Sequence, residues 1–235
     1  MRKKKISLNT VKIAIFLITL IIIFNLAPNY VLNDSYVKGK INLIIDNNNV
    51  TKDLEHDLFI ANKKVIYMSI QDVAKYFDKN ISYDKINNQI ITTFGEKVAK
   101  LPLGECVIEI NGRITDVMLG SVEKENIFYI PITAMGNIYE LDIDYIEEEQ
   151  TILLDSRTKK MVKANVAKKC NVKFKPTTFS KTVDKLERAE KIIFIEDLEN
   201  NWTKIRTLNG IIGYIKSNII QNKIYIRNDM TKYVK

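Results

Sequence analysis

The residues able to do chemistry are few, and their spacing sends most of them to structural roles. The densest cluster is acidic: Asp142, Asp144, Glu147, Glu148 and Glu149. Such carboxylates could bind calcium or work as an acid–base pair. Strand alternation, however, puts Asp142 and Asp144 on one face and Ile143 and Tyr145 on the other. Neither a calcium-loop pattern nor a glycosidase spacing is met, so the run reads as a solvated strand face and turn. The single histidine, His56, has no Cys or His at ligand spacing, whereas zinc and copper sites need several such ligands. It reads as a loop residue. Cys106 and Cys170 read as two buried free thiols, with one disulfide between them as the alternative. There is no Gly-x-Ser-x-Gly, no Cys/His pair and no phosphate-cradling loop, and the eight glycines are scattered singly. No catalytic, cofactor-binding or metal site is expected, and no enzyme. Trp202 and Tyr214 remain. Each joins an apolar body to a polar handle and could line a ligand groove or fill a core.

The elements that would position those two lie in a chain of uneven charge. Residues 1–33 hold five cations and no acid, residues 34–157 carry a net charge of −8, and residues 158–235 carry +11. A sign change of that size near residue 158 marks a boundary. The acidic part is a repeat. Shifted by 62 positions, Tyr67 falls on Tyr129, Ile70 on Ile132, Ile81 on Ile143, Tyr83 on Tyr145 and Ile90 on Ile152. Shifted by 64, Leu43, Ile44, Val50 and Thr51 fall on Val107, Ile108, Ile114 and Thr115. Matches at apolar positions of one pattern indicate a duplicated scaffold. Each copy reads as a hairpin, a strand, a short helix and two closing strands. Asn111-Gly112 supplies the hairpin turn of the second copy. Ser69 and Asp72 resemble a capping box, and Pro131 suits a first helical turn. The helices are too short to stand alone and must lie on sheets, an α+β unit.

The uncharged stretch 13–32 follows Arg2, Lys3, Lys4 and Lys5. It is about as long as a bilayer-crossing helix. It is expected to act as an uncleaved signal-anchor with its basic tip in the cytoplasm and the remaining chain outside. A cleaved signal peptide is the rival reading.

Two resemblances follow from the residues. The order strand, Ile70-x-x-Val73-Ala74-x-x-Phe77, Ile81-x-Tyr83-Asp84 and a closing strand, doubled around Asn111-Gly112, resembles the copper amine oxidase N-terminal-like (stalk) domain. That resemblance covers about residues 41–156 and implies neither copper nor oxidation. Cys170-Asn171-Val172-Lys173, then Trp202-Thr203-Lys204-Ile205, Asn209-Gly210 and Gly213-Tyr214-Ile215, resemble the bacterial Src-homology-3-type domain. Lys173 to Pro176 and Ala189-Glu190 depart from its usual loops. Residues 158–170, with five lysines, read as a linker.

The expected organisation is therefore residues 1–33 as basic tip and transmembrane signal-anchor, 34–157 as stalk, and 158–235 as Src-homology-3-type domain with a short tail. The expected fold is an α+β duplicated stalk plus a small all-β barrel, after one N-terminal transmembrane helix. The resemblances imply a non-catalytic membrane-anchored extracellular protein that binds cell-wall peptidoglycan or anionic wall polymers. Nucleic acid is not expected as a partner, because the basic part lies outside the membrane. The alternative is the non-catalytic N-terminal part, or the partner, of a wall glycoside hydrolase, such as one of glycoside hydrolase family 18, with the catalytic domain absent from this chain.

Overall fold

A computed structural model describes residues 40–61 and 65–227. The expected signal-anchor at residues 1–33 lies outside those residues. Among the described residues no helix is long and apolar enough to cross a membrane.

The α+β expectation fails. Of the described residues 55% are in strands and 11% in helices, so the chain is mostly β. The reason lies in the lengths: each repeat's helix has only seven residues, α1 at Ile70–Tyr76 and α2 at Ile132–Ile138, while all that surrounds them is strand.

The duplication itself is reproduced residue for residue. Strand β4 (Val65–Ser69) corresponds to β11 (Ile127–Pro131), α1 to α2, and β6 (Gln89–Phe94) to β13 (Thr151–Ser156), each offset by 62. β5 (Ser82–Asp84) and β12 (Leu141–Ile146) occupy the same place in each copy. β4 and β11 pair antiparallel with Met68 opposite Ile130. Those two are repeat equivalents, so a pseudo-twofold axis passes between them. Both are wholly buried in the main core with Leu43, Val73, Ile90, Met135 and Ile152. The flanking strands β3 (Phe59–Ala61) and β10 (Val122–Lys124) extend this sheet symmetrically, in the order β10-β11-β4-β3.

The same axis interleaves the two copies. β1 (Asn42–Ile45), from the first hairpin, pairs parallel with β13 of the second copy, giving β12-β13-β1-β2 with β2 at Asn48–Asn49. The counterpart sheet runs β5-β6-β7-β8-β9, with β8 at Val107–Ile110 and β9 at Arg113–Asp116. It differs by one inserted strand, β7 (Lys97–Pro102), antiparallel to both neighbours. Two antiparallel steps leave β6 and β8 parallel, as β13 and β1 are. Asn111 and Gly112 both have positive φ, 50° and 80°, the geometry a two-residue hairpin of this twist needs.

Local chemistry sets the helix starts. The Ser69 Oγ accepts from the Asp72 N–H at 3.1 Å, the N-cap bond that satisfies an orphan donor. The buried Asp72 carboxylate accepts from the Ser69 hydroxyl and from the backbone N–H groups of Glu55 and His56, so it also ties down the preceding loop. Pro131 is the N-cap of α2 rather than its first turn.

Residues 160–227 form one seven-stranded sheet, every neighbour antiparallel, ordered β16-β15-β19-β18-β17-β14-β20. The strands are β14 (Lys160–Val166), β15 (Cys170–Lys173), β16 (Thr182–Leu186), β17 (Lys191–Leu198), β18 (Trp202–Thr207), β19 (Ile212–Lys216) and β20 (Ile220–Arg227). Ala164, Val172, Leu186, Ile192, Ile205 and Ile215, one from each of six strands, meet in a single core cluster. The sheet must curl around them. The linker expected at 158–170 is instead mostly β14, which pairs with both β17 and β20. In it Ala164 and Val166 are fully buried on either side of the half-buried Asn165.

A short apolar cluster of Ile44, Leu153 and Ile212 joins the two parts. Beside it, both Nη groups of Arg206 donate to the Asp155 carboxylate at 2.8 and 2.7 Å, and the Arg206 side chain is only 3% exposed. Gly210, at φ 78°, sits in the Asn209-Gly210 turn against Ile146, Thr151 and Leu153. A Cβ there would come within 3.2 Å of a carbon on each.

Candidate functional site: a lysine-lined pocket beside Trp202

The register of β18 and β19 sets Trp202 opposite Lys216. The Lys216 ammonium lies 4.1 Å from the centroid of the indole, a cation–π contact. Two further lysines converge on the same place. Lys173, at the end of β15, donates to Thr182 Oγ1 at 3.0 Å, and Lys168 precedes β15 as an exposed loop residue. Together with Cys170, Asn171, Thr178 and Asn218 these enclose a pocket of about 360 Å³. No Asp or Glu lines it. Among the described residues none of the three lysines is in an ion pair, so no carboxylate neutralises their charge at the pocket.

Such a pocket can hold an anion, and its thiol is not activated. Burial, with a smaller push from the Glu190 charge, raises the Cys170 thiol to about 11 against the pull of Lys168. The thiol therefore stays protonated near neutral pH and is a poor nucleophile.

Trp202 and Tyr214 end up in different roles. Trp202 is 6% exposed and lines the pocket, but its face is covered by Lys216, so it supports an ammonium rather than offering a ring to a ligand. Tyr214 is also buried, pairs with Lys173 and Lys204 across the sheet, and does not line the pocket. Alternation along β18 and β19 runs one face through the cross-strand pairs Trp202–Lys216, Lys204–Tyr214 and Arg206–Ile212. Tyr214 sits midway between the pocket and the junction with the repeat. The three lysines were not singled out by sequence; their only signal was the +11 of this part.

The acidic residues lie elsewhere. Asp142 and Asp144 line a second concavity of about 250 Å³, with Asp155, Lys163 and Arg206. Its charges are largely satisfied within the protein: Asp155 by Arg206, and Asp142 by the Arg157 Nε at 2.9 Å. Among the described residues no group of three or more His, Cys, Asp or Glu could hold a metal ion. His56 lies in the loop after β2 and is tethered through its backbone to Asp72. Cys106 and Cys170 are both free. Cys106 is exposed rather than buried, because it falls in the turn before β8 and not on a core face.

These features define a mostly β protein in which an acidic, duplicated scaffold carries a basic curled sheet with one anion-suited pocket. Comparison with known proteins finds a match within the scaffold alone. Residues 44–154 match the family model of the copper amine oxidase N-terminal domain. What is matched is a non-catalytic N-terminal domain and not the catalytic domain of the amine oxidases. No curated protein matches the chain.

Proposed function

We propose that the chain is a non-catalytic binding protein of the cell envelope. In this reading the repeat at 34–157 is a stalk, and residues 158–227, a Src-homology-3-type module by sequence pattern, hold an anionic wall polymer in the pocket of Lys168, Lys173 and Lys216. One observation carries it: three lysines, two from the stretch 168–173 and Lys216 from the end of β19, line a concavity that no carboxylate lines. A field of one sign in a partly enclosed site attracts and orients anions. The family match of the repeat supports a non-catalytic scaffold. The basic tip and apolar stretch at residues 1–33 support export, which would bring the pocket to peptidoglycan carboxylates and teichoic-type phosphates.

Co-sedimentation of the full chain with purified wall sacculi tests this. Retention is expected at low ionic strength and should fall as salt approaches ~1 M, where the screening length is about 3 Å. The K168Q/K173Q/K216Q variant should lose it. Absence of retention at low salt, or undiminished retention by the triple variant, sinks the proposal.

A further inference from the structure

Phe179 is 98% exposed, the most exposed large apolar side chain among the described residues. It does not lie on a loose end. The loop that carries it, between β15 and β16, is pinned by Phe174 N–H to Lys181 O at 2.9 Å, Thr177 N–H to Lys175 O at 2.7 Å and Ser180 N–H to Thr177 O at 3.2 Å. The Ser180 Oγ adds a bond from the Lys175 N–H at 2.8 Å. Its immediate neighbour Thr178 lines the lysine pocket, and Lys173, Lys175 and Lys181 flank the loop. A phenyl ring is thus held in water at the rim of a cationic pocket, while the pocket's own aromatic ring is covered by Lys216.

We propose that Phe179 is the aromatic platform of the ligand site, stacking on a saccharide ring of an anionic glycan whose charged groups sit among Lys168, Lys173 and Lys216. The proposal rests on the pocket being the binding site. Three observations favour a ring-bearing polyanion. The ammonium groups require negative charge at the pocket. A fully exposed ring suits a partner with an apolar face of similar size, since such faces recover hydration free energy on contact. The two elements adjoin through Thr178, so one polymer with charge and ring in alternation meets both. A lipid surface would be met more naturally by several apolar residues on one loop, and this loop carries a single outward ring.

The experiment compares two polyanions with the full chain: a heparin oligosaccharide, which carries rings between its charges, and an inorganic polyphosphate of similar charge, which carries none. Phe179→Ala is expected to weaken the heparin oligosaccharide about tenfold, as loss of an aromatic contact does, and to leave polyphosphate unchanged. Phe179→Tyr should bind both as the natural chain does, because the ring is kept. K173Q/K216Q should weaken both. Equal effects of Phe179→Ala on the two probes, or none on either, overturn the role of Phe179 and leave the pocket standing. If the lysine variant binds both probes unchanged, or the natural chain binds neither, the pocket reading falls and this one with it. If Phe179→Ala instead releases the chain from phosphatidylglycerol vesicles while heparin binding is unaltered, the partner is a lipid surface and the glycan assignment is overturned.

Discussion

The acidic repeat and the basic sheet both pair charges, in the sheet Lys169 with Glu187 and Lys223 with Asp197, but the sheet also keeps lysines outside any ion pair. In the repeat, opposite charges satisfy each other: Lys97 with Glu140, Lys100 with Glu109, and Arg157 with Asp142. Its buried carboxylates, Asp72 and Asp78, are saturated by hydrogen bonds from the protein. In the sheet, three lysines line a carboxylate-free pocket. The first arrangement stabilises a scaffold; the second keeps charge available for a partner. The difference teaches that the net charge of a part says less about binding than whether its charges already have partners.

The contrast can be broken at the place where the two parts meet. Arg206→Ala leaves Asp155, only 13% exposed, without its guanidinium. Severing a buried ion pair costs about 3–5 kcal/mol, the largest effect expected. Denaturant unfolding of the natural chain should show the repeat and the sheet melting together, and the variant should separate them into two transitions. If the variant keeps one coincident transition at an unchanged midpoint, the pair does not couple them.

Gly210→Ala attacks the same junction by shape. It places a side chain at φ 78° and a Cβ 3.2 Å from three carbons of the repeat. Backbone strain and overpacking together should cost about 2 kcal/mol, read as a lowered unfolding midpoint. An unaltered midpoint would mean that the turn is not pressed against Ile146 and Leu153.

Asp78 probes the repeat alone. Burial pushes its carboxyl up, but hydrogen bonds from Thr92 Oγ1, the Thr93 and Asn80 N–H groups and Thr93 Oγ1 outweigh that and hold it below the ordinary value of 3.8. A depressed folded value stabilises the fold above the unfolded value and is lost as pH falls through the folded one. Asp78→Asn should therefore cost about 1–2 kcal/mol at neutral pH. The gap from the natural chain should close progressively below about pH 4. A gap independent of pH would assign the loss to packing, and no gap would show the carboxylate to be dispensable.

What could be read in advance follows the same division. The repeat was legible because Tyr67, Ile90 and their partners 62 residues on are buried positions, where packing restricts residue type. The pseudo-twofold interleaving was not, since register between distant strands leaves no local pattern. The inserted β7 escaped notice because Lys97 and Lys100 break up its apolar residues. β14 reads as linker for a similar reason: the lysines of residues 158–170 outweigh the short apolar pair Ala164 and Val166 that reaches the core. Trp202 lines the pocket, but under Lys216. The lysines beside it were not legible, because Lys168, Lys173 and Lys216 converge only through the pairing of β15 and β18 with β19.

The most direct test of a pocket-borne function is a charge-matched comparison of binding to wall sacculi. One variant removes Lys168, Lys173 and Lys216, and the other removes three exposed lysines of the repeat, Lys52, Lys79 and Lys85, so both lose the same charge. The pocket variant should lose about tenfold or more in affinity, as when specific charge contacts are removed, while the repeat variant binds as the natural chain does. Equal loss in both would mean that net charge and not the pocket holds the polymer, and would contradict the account.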